Sequence, residues 1–207
     1  DTIILFTTDH GEMLGDHELL CKGRPHYDAG IRVPLIVAGG GVASQKSDRL
    51  TCALDFFPSF CDCERVPDEV RPPLEGRSFS PVCQGKPEEH PWPSVRVAMS
   101  EVESVISQDG WRLTLFHDEG SPNHLFNLNE DPTEQVNLYN QPEALTKQVE
   151  LLEALSWHTN HCRVTPQFRN LPIRGECRYR PGGAGGGQMS IPIPLYGEGL
   201  SAPRWSE

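Results

Sequence analysis

No stretch of the 207 residues approaches the ~20 consecutive apolar residues that a membrane-spanning helix requires, so a transmembrane segment is excluded for this sequence. Basic residues are scarce as well. Lys and Arg total 18 against 29 Asp and Glu, a formal charge of −11, which argues against nucleic acid and against an anionic membrane surface as partners. Hydrophobic residues make up only 37 %, while Gly and Pro number 19 each, so part of the chain is expected not to pack. The seven cysteines are odd in number and irregularly spaced, unlike a small disulfide framework, and they do not decide the redox compartment. Residue 1 is Asp rather than Met, and no apolar leader precedes the first apolar run. The natural amino terminus is therefore expected to lie upstream, and compartment cannot be read from a targeting signal.

What is present reads first as a piece of an α/β sheet. Thr2-Ile3-Ile4-Leu5-Phe6 is a short, continuous run of β-formers, which predicts a buried, parallel strand ending in a polar loop. A second strand is expected to begin after Pro34 and to run through Leu35-Ile36-Val37 into Ala38-Gly39-Gly40-Gly41. A helix follows, with Asp55 as its N-cap, Pro58 in its first turn and Phe56, Phe57 and Phe60 as its apolar surface. Seven prolines between 65 and 93 predict a loop-like crossing. Beyond it, β-like runs at 95–99, 102–107, 111–116 and 124–128, with Asp109-Gly110 as a hairpin signal, predict a small antiparallel sheet. Leu145, Val149, Leu152 and Leu155 recur at helical spacing and predict one helix over about 142–158 lying on that sheet. The fold class is α/β, divided as 1–90, 91–160 and a Gly- and Pro-rich, irregular tail over 161–207.

Reactive side chains are densest just after the first strand: Asp9, His10, Glu12, Asp16, His17, Glu18 and then Lys22. Ligand sites of open α/β sheets lie outside the carboxyl ends of strands, so the position suits chemistry. Asp9 and His10 could turn toward one ion, a carboxylate beside a neutral imidazole nitrogen. Two ligands cannot hold a hard cation, and the remaining donors must come from elsewhere. Lys22 is a mobile point charge able to reach an anionic group held by that ion. An acidic surface loop with no site is the plain alternative.

Order and spacing change that balance. Thr7-Thr8-Asp9-His10-Gly11-Glu12-Met13-Leu14-Gly15-Asp16-His17, Lys22, and Tyr27 through Ile31-Arg32-Val33-Pro34-Leu35-Ile36-Val37 resemble the sulfatase family, the formylglycine-dependent sulfate ester hydrolases of the alkaline phosphatase superfamily. The resemblance continues through Leu54-Asp55-Phe56-Phe57-Pro58-Ser59 and Leu74-Glu75-Gly76-Arg77-Ser78-Phe79. It reaches His124-Leu125-Phe126-Asn127-Leu128 with Asp131-Pro132-Thr133-Glu134-Gln135-Val136-Asn137-Leu138 and covers about residues 1–158.

That resemblance implies a sulfatase-like mixed sheet with helices, plus a small carboxyl-terminal antiparallel sheet with one packed helix. It implies that Asp9 and His10 are ligands of one divalent metal, calcium first and magnesium or manganese next. It also implies that Lys22 contacts the sulfate and stabilises charge on its oxygens. His17 belongs to the motif and reads more readily as a loop-ordering residue. His26 and Tyr27 could contact substrate or simply pack within the loop. The substrate is expected to be a sulfate ester, a sulfated carbohydrate among the options, and periplasm, secretion or lysosome are the compartments that fit.

The departure from the family pattern is the nucleophile. Sulfatases take it from a Cys/Ser-x-Pro/Ala-x-Arg segment converted to formylglycine, and no cysteine here fits: Cys61-Asp62-Cys63-Glu64-Arg65 lacks the Pro or Ala. The formylglycine and the paired aspartates are expected upstream, leaving this chain as a carboxyl-terminal portion with half of a divided site, inactive alone. His10 also admits a phosphonate monoester hydrolase or phosphodiesterase of the same superfamily, and a non-catalytic binding module is a third possibility. Cys61-x-Cys63 and His158-x-x-His161-Cys162 suggest zinc only weakly, since their spacings fit no standard pattern.

Overall fold

The computed structural model describes residues 2–87, 91–99 and 101–161. Of the tail expected over 161–207, residue 161 ends the last helix and the rest lies outside the described residues. The first strand, β1 (Ile3–Phe6), pairs with β2 (Ile36–Gly39) in a two-stranded ribbon. Here the expectation of a buried, parallel strand is corrected. The pairing is antiparallel, Ile3 opposite Gly39 and Phe6 opposite Ile36, and Ile4, Phe6 and Ile36 on one face remain largely exposed. An apolar run signals burial but carries no direction. Direction is set by the connection, and residues 7–35 return the chain to the end of β1 that it left.

That connection contains α1 (Asp28–Ile31), a single turn. After β2 come α2 (Phe56–Cys63) and α3 (Ser80–Cys83), each brief because prolines punctuate the region. Pro81 sits in the first turn of α3, where its missing donor costs nothing, so the crossing is less irregular than its proline count predicts. Asp55 does not act as the side-chain cap of α2. It is fully buried and closes the preceding 3-10 turn by accepting from Cys52 N (3.1 Å), and it also accepts from Arg77 N (2.7 Å) and Trp92 Nε1 (3.0 Å). The inward face of α2 is Pro58, Ser59 and Cys61, while Phe57 and Phe60 point outward.

The second sheet is a meander in the order β3 (Ser94–Met99), β4 (Val102–Ser107), β5 (Trp111–Phe116) and β6 (His124–Asn127). All its pairings are antiparallel, with Val105 opposite Leu113 and Leu113 opposite Leu125. The β4–β5 hairpin turns at Asp109-Gly110, where Gly110 has φ 82°, a left-handed conformation that glycine adopts without steric cost.

Side chains alternate across a strand, so this sheet has two distinct faces. One carries Val105, Leu113 and Leu125, which form the core with Ala144, Leu151 and Leu155. The last two come from α4 (Leu145–His161). The expected stripe on α4 is shifted: Leu145 and Val149 are exposed, whereas Gln148, Leu151 and Leu155 are buried and Leu152 is partly so. A glutamine can face inward because both ends of its amide are bonded, accepting from Asn140 N (2.7 Å) and donating to Asn140 Oδ1 (3.0 Å).

The opposite face carries Val102, Ile106, Phe116 and Phe126 around a polar patch of Ser104, Arg112, Thr114 and His124. It is covered by the loop that follows β1. The sheet is thus packed on both sides, by α4 below and by the candidate site loop above.

The shifted stripe gives a direct test. Leu151→Ala removes a fully buried side chain and is expected to lower unfolding free energy by about 2–5 kcal/mol, whereas Val149→Ala should change it by less than about 0.5 kcal/mol. Urea denaturation distinguishes this assignment from the sequence expectation, under which Val149, and not Leu151, would be the costly position.

Candidate functional site

The loop after β1 is held by very local bonds at its tip. Thr8 Oγ1 donates to Asp9 Oδ1 (3.2 Å), and His10 N donates to the same oxygen (3.1 Å). The Thr8 hydroxyl is the main reason that the Asp9 carboxyl is held below the usual carboxylate range, ionised and exposed. His10 Nδ1 lies 2.8 Å from the Gly11 carbonyl oxygen, and Nε2 is contacted by Lys22 Nζ. A carbonyl only accepts and an ammonium only donates, so both neighbours require the tautomer with the proton on Nδ1 and the lone pair on Nε2. That lone pair lies 3.4 Å from Asp9 Oδ2.

Asp9, His10 and Lys22 therefore converge at one exposed point, thirteen residues apart at most. The donor pair is chemically suited to a divalent cation: a carboxylate oxygen beside an imidazole nitrogen whose other nitrogen is fixed by a backbone carbonyl. It is only part of a coordination sphere. Among the described residues, no group of three or more His, Cys, Asp or Glu side chains could hold a metal ion. Cys61 is buried, His158 contacts Ser94 Oγ and Ser94 O, and Cys162 lies outside the described residues, which covers the weaker zinc motifs.

Glycine at position 11 has a structural reason. Gly11 N donates to Gly30 O (2.9 Å), and a Cβ at Gly11 would run into the Ala29 carbonyl oxygen. The loop tip is thereby laid against α1. Met13, 3 % exposed, packs in the same place beside Gly30.

His17, with φ 48°, stacks on Tyr27 at 3.7 Å between ring centroids and 4° between planes. Tyr27 also lies against His124 and Phe126 of the sheet (5.8 and 6.1 Å). Both rings thus order the loop over the polar face of the sheet. His26 faces the interior, 2 % exposed, with Nδ1 2.8 Å from Ser104 Oγ, which in turn meets Thr114 Oγ1 at 2.7 Å. Burial, with the Arg112 guanidinium nearby, pushes the His26 imidazole down to about 4.

Sequence reasoning missed the group beneath. Arg112 of β5 is 1 % exposed and contacts the Glu134 carboxylate and Asp28 Oδ1 (3.3 Å), while Glu134 Oε2 accepts from Asp28 N (2.8 Å). The available signal was an arginine within an otherwise apolar strand, Trp111-Arg112-Leu113-Thr114-Leu115-Phe116. A separate cleft of about 290 Å³ is lined in part by Arg77, Trp92, Ser94, Trp157 and His158, none of them among the residues singled out at the loop.

The family model described as Sulfatase matches residues 1–64. Choline-sulfatase of Rhizobium meliloti (strain 1021) is 32 % identical over 152 residues, covering 73 % of this chain and 30 % of its own length. Delta 4,5-hexuronate-2-O-sulfatase of Bacteroides thetaiotaomicron is 31 % identical over 154 residues, covering 69 % of this chain and 31 % of its own. The phosphonate monoester hydrolase of Agrobacterium radiobacter superposes with a TM-score of 0.65 at 27 % identity, over 81 % of this chain and 38 % of that one. The chain spans about a third of the length of the curated relatives it matches.

The His26 environment predicts a pH dependence. Below about pH 6.5 the unfolded chain binds a proton at His26 that the folded chain refuses until about pH 4. Stability is therefore expected to fall as pH drops through that interval, by about 3 kcal/mol in total, with no effect of this group above it. Urea midpoints measured from pH 7 to 4 should decline less steeply in His26→Gln. An identical slope in the two proteins would refute the assignment.

Proposed function

Because the chain belongs to the sulfatase family, we propose that its β1 loop is part of the active centre of a hydrolase acting on sulfate esters. In this reading Asp9 and His10 Nε2 are two ligands of a divalent cation, calcium first and magnesium or manganese next, and Lys22 contacts the oxygens of the ester group. The observation that carries it is the convergence of these three side chains at one exposed point, with the Gly11 carbonyl placing the His10 lone pair on Nε2, the atom that Lys22 also contacts. When bound, the cation would supply positive charge against the ester oxygens. The chain's own contribution is positional. The Asp9 carboxylate accepts from Thr8, His10 is kept in one tautomer by Gly11, and Lys22 brings a full positive charge to the same place. Preorganised charge of this kind acts on the transferring group without reorganisation during reaction.

The remaining ligands and the nucleophile, a formylglycine by family pattern, come in this reading from residues other than these 207. A sulfated carbohydrate is supported as substrate by the hexuronate sulfatase among the relatives, and a small sulfate ester by choline-sulfatase. A second reading, phosphonate monoester or phosphodiester hydrolysis, is favoured by the structural likeness to a phosphonate monoester hydrolase together with histidine at position 10.

In the protein made from its natural reading frame, Lys22→Ala is expected to lower kcat/KM for an aryl sulfate by roughly 10²–10³-fold. Asp9→Asn should raise the cation concentration needed for half-maximal rate. Wild-type turnover by Lys22→Ala would remove that residue from the chemistry. Turnover of a phosphonate monoester with none of the sulfate ester would replace the first reading by the second.

A further inference from the structure

We infer that Arg112 is a positioning residue for the Asp9–His10 loop, holding it from beneath through α1. The role rests on the proposed function of that loop, but its physical basis does not. The side-chain hydrogen bonds of Thr7, Thr8 and Asp9 and the His10 Nδ1 contact all reach no further than two residues along the chain. Such bonds shape a loop without placing it on the fold. Its long-range tethers are Gly11 N to Gly30 O, Met13 packed beside Gly30, and Lys22 on His10. The first two run to α1.

A single helical turn has no stability of its own, since one turn fixes several dihedrals for little bonding. It must be fixed from outside, and here the fixing is at Asp28. The Asp28 carboxylate meets Arg112 Nη1 (3.3 Å), and its backbone N donates to Glu134 Oε2 (2.8 Å). Arg112 also holds the Glu134 carboxylate, and its guanidinium lies over the Phe126 ring (5.6 Å). One planar, permanently charged fork thus clamps both groups that grip the start of α1, a geometry for which an ammonium would be a poor substitute. The path runs from Arg112 to Asp28, along α1 to Gly30, and across to Gly11, which directly follows His10.

The test is residue-resolved hydrogen exchange in the full-length protein. In Arg112→Met, exchange of the Gly11 amide is expected to accelerate at least tenfold while amides of the β3–β4 pair keep their wild-type rates. Arg112→Lys, which retains charge but not the fork, should show a smaller, roughly threefold acceleration and serves if the Met variant does not fold. Unchanged Gly11 exchange in a folded variant would overturn the inference. So would equal acceleration at Gly11 and in β3–β4, which would make Arg112 a general stabiliser rather than a positioning residue. Because Gly11 exchange reports the loop and not turnover, failure of the hydrolase reading would show separately, in the Asp9→Asn and Lys22→Ala assays.

Discussion

A guanidinium that is 1 % exposed is the constraint around which the rest of this fold is arranged. Burying an ion costs several kcal/mol unless opposite charge accompanies it, and Arg112 faces two carboxylates, Asp28 of the loop region and Glu134 beyond β6. These two carboxylates are themselves tied together through the Asp28 amide. This pairing lets the polar patch around Arg112 be covered by the loop region. Once it is covered, His26, Tyr27 and α1 have fixed places, and the loop bearing Asp9 and His10 inherits its position from them.

A second buried ion plays the corresponding part in the region of α2 and α3. Asp55 gathers Cys52, Arg77 and Trp92 around one carboxylate, with Arg49 Nη2 3.7 Å away. It joins segments that have few apolar contacts of their own, which explains how a proline-rich stretch keeps a defined course. The two centres divide the work. One fixes the crossing, the other fixes the loop, and the apolar core under the sheet supplies cohesion to both.

Much of this was legible locally. The strands at Val102–Ser107 and Trp111–Phe116 follow the predicted bounds, and the α4 region was expected within a few residues, because β-branched runs, the Asp109-Gly110 turn and helical spacing are properties of short windows. The convergence of Asp9, His10 and Lys22 was legible because a short loop cannot separate them far. What escaped was everything decided at long range. The antiparallel return of β2, the phase of the α4 stripe and the burial of Arg112 each depend on which segment covers a face, and no local pattern contains that. The cover of Arg112 lies 84 residues earlier in the chain.

That separation in sequence has a consequence for biosynthesis. His26 waits for Ser104, and Asp28 for Arg112 and then Glu134, partners 78, 84 and 106 residues downstream. At a synthesis rate of roughly 5–20 residues per second, the loop leaves the ribosome about 5–20 s before its last anchor exists. During that interval its histidines, acidic side chains and Lys22 are ordered by nothing but their neighbours, and Tyr27 and Met13 have no surface to cover. The segment with the densest reactive side chains is thus made well before the residues that place it.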